Sequence, residues 1–66
     1  METQIKESLI LLLNGISQSD GKTIATEMAR LDQFVAAGKG ILPAQLAHFL
    51  ERRSYAKALA WLVGNP

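Results

Sequence analysis

The sequence predicts an all-α fold: a small three-helix bundle whose third helix is kinked or broken near residue 53, the broken form giving four short helices. Three observations lead there. Ten Leu and nine Ala stand against two Val and four aromatics, and Leu and Ala favour helix whereas β-branched and aromatic residues favour strand. Apolar residues recur at steps of three and four over three stretches of chain. Glycine-bearing clusters at 17–21, 38–40 and 64–66 separate those stretches, as loops do.

The first helix is expected over about 3–17, with Thr3 as N-cap. Ile5, Leu9, Leu12, Leu13 and Ile16 share a face, while Ile10 and Leu11 lie well off it. This helix is therefore apolar around much of its girth, as a central or interface helix is. Gly15 marks either fraying or the true end, because glycine costs about 1 kcal/mol inside a helix relative to alanine. Ser8, Ser17, Ser19 and Ser54 are assigned to helix surfaces or caps.

The second helix is expected over about 20–37, opened by Ser19 or Asp20 as N-cap. Ile24, Met28, Leu31 and Val35 make a narrow seam. Beside it run Ala25, Ala29 and Ala36, small enough to let another helix approach. Gly38 suits the position after the last turn, and Lys39 suits the negative end of the helix dipole.

The third helix is expected over about 43–63, with Pro43 in its first turn. Leu42, Leu46, Phe49 and Leu50 share one face, but Tyr55, Leu59 and Leu62 fall nearly opposite, and Arg53 and Lys57 continue the first face. A straight helix would bury those cations or use two apolar faces. Charged groups are almost never buried unpaired, so a break at Arg53-Ser54, with Ser54 capping a new helix, is the preferred reading. The expected core is Ile5, Leu9, Leu12, Ile16, Ile24, Met28, Leu31, Val35, Leu46, Phe49 and Leu50.

Sixty-six residues are read as one helical domain, 1–66, near the size at which natural chains add disulfides, metals, partners or dense packing. The chain has no Cys and one His, which excludes disulfides and thiolate metal sites and leaves too few ligands for a closed zinc site. His48 and Glu51 lie three residues apart, in the reverse order of the Glu-x-x-His used by carboxylate-bridged metal bundles. Gly21-Lys22-Thr23 resembles the end of a phosphate-binding loop, but Ile16 stands where its first glycine belongs and a helix precedes it instead of a strand. No serine has a histidine base at a suggestive spacing, and a short helical chain offers little volume for a catalytic pocket. The expectation is a non-enzymatic protein with no catalytic residues, cofactor or metal. Acidic Glu2 and Glu7 flank Lys6 ahead of Leu9–Leu13, which fits neither a secretory leader nor a membrane span. The chain is expected to be cytoplasmic.

The remaining signal is apolar excess. Ile10 and Leu11, with Tyr55, Leu59, Trp61, Leu62 and Val63, exceed what three short helices hide, and large apolar patches usually mark interaction sites. The expected function is a helical protein–protein interaction or homodimerisation module, its partner itself or another helical protein, with Ile10, Leu11, Tyr55, Leu59, Trp61 and Leu62 at the interface. The alternative is nucleic-acid binding through a weak basic patch of Lys39, Gln45, Arg52, Arg53 and Lys57. Its footprint is sparse, with Glu51 adjacent and a formal net charge of only +1.

Overall fold

A computed structural model describes residues 2–64. They form α1 (Glu2–Ser17), α2 (Gly21–Ala37), α3 (Ala44–Glu51) and α4 (Tyr55–Gly64), with no strand among the described residues. The fold is all-α, and the expected third helix is two. The four helices pack in a ring: α1 lies against α2 and α4, and α3 closes the ring against the same two.

The stripe Ile5, Leu9 and Leu12 of α1 is fully buried, together with Ser8 and Gly15. Thr3 lies inside the first turn, one residue past the start of the helix. Gly15 neither frays nor ends α1. It lets α2 come close, since a Cβ there would stand 3.1 Å from Thr23 Cγ2 and 3.4 Å from Ile24 Cγ1. With Ser8 facing Glu27 further along, α1 and α2 run antiparallel.

Two of the turns between helices use one device. After α1, Asp20 N–H donates to Gly15 O (2.8 Å) and Ser19 N–H to Ile16 O (3.2 Å), with Ser19 in the left-handed region at φ 55°. After α3, Ser54 N–H donates to Phe49 O (2.8 Å) and Arg53 N–H to Leu50 O (3.1 Å), with Arg53 at φ 59°. Both are Schellman closures, which satisfy carbonyls orphaned at a helix end. In each, the next residue starts the following helix: Asp20 O accepts from Ile24 N–H, and Ser54 O from Ala58 N–H. The break at Arg53-Ser54 is thus a defined corner.

The α2–α3 connection works differently. Gly38 caps α2 at φ −91°, its N–H donating to Phe34 O, and the left-handed residue is Gly40 at φ 84°. Gly38 is required for space: a Cβ would stand 2.6 Å from Leu42 Cγ and 2.9 Å from Phe34 O. Pro43 precedes α3 as its N-cap rather than entering its first turn.

The core is Ile5, Leu9, Leu12, Leu31, Leu46, Leu50, Tyr55 and Ala58. Ile24, Met28, Val35 and Phe49 are half-buried at its margin. Ile16 was expected inside but is 50% exposed, because it lies in the last turn of α1, beside the corner where α4 is only beginning. The Ala25, Ala29 and Ala36 row faces outward, with every residue exposed. Tyr55 and Ala58 enter the core because the corner rotates α4 relative to α3, turning the second apolar stripe inward.

Candidate interaction surface

The buried polar groups are structural. Ser8 and Glu27 are both buried, and Ser8 Oγ donates to Glu27 Oε1 at 2.7 Å. Arg30 Nη1 donates to the same oxygen at 3.2 Å and lies over the Phe34 ring, 5.9 Å from its centroid. Ser8 is therefore not the surface serine expected of it. Both residues were within reach of the periodicity: Ser8 stands three residues from Ile5 and four from Leu12, and Glu27 three from Ile24 and four from Leu31. Among the described residues no buried side-chain nitrogen or oxygen lacks a partner. No group of three His, Cys, Asp or Glu side chains is placed to hold a metal among them. Among the described residues no helix is long and apolar enough to cross a membrane.

Among the described residues five large apolar side chains face water: Ile10 (40%), Leu11 (45%), Ile16 (50%), Val63 (64%) and Ile41 (75%). Ile10 lies off one flank of the buried stripe of α1, one turn before Leu13, and Leu11 lies off the other. Leu59, Trp61 and Leu62 are half-buried and packed against the core. Tyr55 belongs to the core itself, and its hydroxyl accepts a hydrogen bond from Arg53 Nη1 at 3.1 Å.

Two grooves flank the outer face of α4. One, of about 490 Å³, is lined by Phe49, Lys57, Ala60, Trp61 and Gly64 on the α3 side. The other, of about 340 Å³, is lined by Leu13, Ile16 and residues 53–57 on the α1 side. Between them lie Ala56, Ala60 and Lys57, all exposed, with Lys57 lining both grooves. Neither groove was evident from sequence, because each forms between helices distant along the chain.

The residues of the expected basic patch divide into two places. Arg52, Arg53 and Lys57 sit at the α3–α4 corner, all exposed, with Arg53 Nη2 3.8 Å from Asp32 Oδ2. Lys39 is in the turn before α3, and Gln45 in its first turn. Seven residues of helix rise, about 10 Å, separate Gln45 from Arg52. His48 is exposed on α3.

No family model matches this chain, and neither does any curated protein or solved structure.

Proposed function

We propose that this protein is a non-enzymatic helical interaction module, pairing with another helical protein or with a second copy through the outer face of α4 and the adjoining flank of α1. The observation that supports this reading is apolar lining on both sides of α4, Leu13 and Ile16 in one groove and Phe49 and Trp61 in the other, with Ile10 on α1 and Val63 on α4 also exposed. These groups are exposed although the fold is closed. Its accessible surface of 4275 Å² is close to the roughly 4,100 Å² expected of a compact monomer of this mass. Apolar patches on closed proteins commonly serve as contact surfaces.

Sedimentation equilibrium at micromolar and higher concentrations tests the self-pairing form, which requires a concentration-dependent dimer. A strictly monomeric species leaves only the hetero-partner form. A monomer whose Trp61 emission also responds to no helical peptide overturns the reading altogether. Nucleic-acid binding through Lys39, Gln45, Arg52, Arg53 and Lys57 has weaker support, because these residues occupy opposite ends of α3. A low-salt anisotropy titration tests it, since non-specific binders have dissociation constants of about 10⁻⁴–10⁻⁶ M even at physiological salt.

A further inference from the structure

Every charged side chain lining the two grooves is a cation: Arg53 and Lys57 beside α1, and Lys57 again beside α3. Outside the grooves, Arg52 and Glu51 adjoin them as an exposed neighbouring pair of opposite charge. Asp32 pairs with Arg53 only at 3.8 Å, with both side chains more than half exposed, and such surface pairs contribute little in water. Ala56 and Ala60 are the small side chains of this face, and Lys57 stands between the grooves and lines both. With 10 residues, α4 is about 15 Å long, a length that three to four turns of another helix can cover.

We propose that this face takes an acidic amphipathic helix of a partner protein, which identifies the partner within the interaction reading above and rests on it. The apolar stripe of that helix lies over Ala56 and Ala60, and its larger side chains enter the Leu13/Ile16 and Phe49/Trp61 grooves. Its carboxylates stand against Arg53 and Lys57. Helix-in-groove recognition of this kind places anchors at i, i+3 or i+4, and i+7. Charge selects this occupant over the others. A second copy packed α4 against α4 brings a cationic groove to a cationic groove, and like charges across an interface are costly. Nucleic acid complements Arg53 and Lys57 but sets phosphates against apolar walls.

The single tryptophan of the chain, Trp61, lines a groove and reports occupancy directly. The full chain is titrated with a synthetic four-turn amphipathic peptide bearing Leu at the anchor positions and Glu on both flanks. Parallel titrations use the same peptide with Lys for Glu, and a duplex oligonucleotide, and the protein alone is sedimented. The acidic peptide is expected to shift Trp61 emission to the blue and to bind at least about tenfold more tightly than the lysine peptide. Lys57→Glu is expected to abolish or reverse that preference, and Ala60→Gln to weaken binding without altering charge. Both positions are exposed, and far-UV circular dichroism checks that each variant folds. Equal affinity for the two peptides, or indifference to Lys57→Glu, overturns the acidic partner. A dimer of the protein alone that Ala60→Gln disrupts overturns it in favour of a second copy, leaving the interaction reading standing. A response to the oligonucleotide alone overturns it in favour of nucleic acid. A monomer that responds to nothing overturns both readings.

Discussion

Glu27 shows how one residue can be costly alone and well placed in company. A buried carboxylate without partners is strongly unfavourable, yet here it accepts from Ser8 Oγ at 2.7 Å and from Arg30 Nη1 at 3.2 Å. The Ser8 bond joins α1 to α2 inside the bundle and so fixes how the two helices slide against each other. Ser8→Ala removes one donor from a buried acceptor and is expected to cost about 1–3 kcal/mol in chemical denaturation. Because a paired buried charge can be exchanged for apolar volume at little loss, the double change Ser8→Ala with Glu27→Leu is expected to cost less than Ser8→Ala alone. Strict additivity of the two single changes would show that the pair is not energetically coupled.

The helix boundaries carry their own predictions. Ser19 holds a left-handed conformation at φ 55°, which costs a residue with a Cβ about 1–2 kcal/mol. Ser19→Gly is therefore expected to stabilise the fold by about 0.5–1 kcal/mol, the remainder being offset by the freer unfolded chain. Gly38→Ala is expected to act in the opposite sense, lowering stability by about 1–3 kcal/mol, because the added methyl meets Leu42 and the Phe34 carbonyl. Thermal melts of the two variants should move in opposite directions. At the start of α2, Asp20 Oδ2 accepts from Thr23 Oγ1 at 2.7 Å and Oδ1 from Thr23 N–H at 3.3 Å. These bonds, the hydroxyl one foremost, hold the Asp20 carboxyl below its ordinary 3.8. A carboxyl depressed in the folded state stabilises fully above its unfolded value, and that contribution is lost as pH falls through the folded one. Acidification into and below the usual carboxylate range is accordingly expected to lower the protection of amides at the start of α2, measured as exchange relative to the intrinsic rate at each pH. Asp20→Ala should remove that acid-dependent change.

For the molecule as a whole, stability rests on few side chains. Leu31 is buried in the central core group and comes from α2, which packs on both α1 and α3. Leu31→Ala is expected to cost about 2–5 kcal/mol, a large part of the margin of so small a domain. A loss under about half a kilocalorie, typical of surface positions, would place Leu31 outside the core. Because the ring of helices closes with its surface near that of a compact monomer, the apolar groups left outside do not result from an open fold. Of these groups Ile16 lines a groove beside α4 and Val63 belongs to α4 itself, and it is on them that the proposal of a partner draws.

Much of this architecture is written in local pattern. Helix content follows from Leu and Ala abundance, the Ile5–Leu9–Leu12 stripe follows from spacing, and the break near residue 53 follows from cations standing where a straight helix would bury them. Spacing is a property of one helix, so it places side chains around that helix only. It does not say where a neighbour stops covering them, and that is why Ile16 lies on the stripe yet in water. It also gives no angle between helices: the Arg53 corner sets that angle for α3 and α4, turning Tyr55 and Ala58 inward and opening a groove on each side of α4. The pairing of Ser8 with Glu27, nineteen residues away, likewise exists only once two helices are laid together, since hydrogen bonds depend on distance in space and not along the chain.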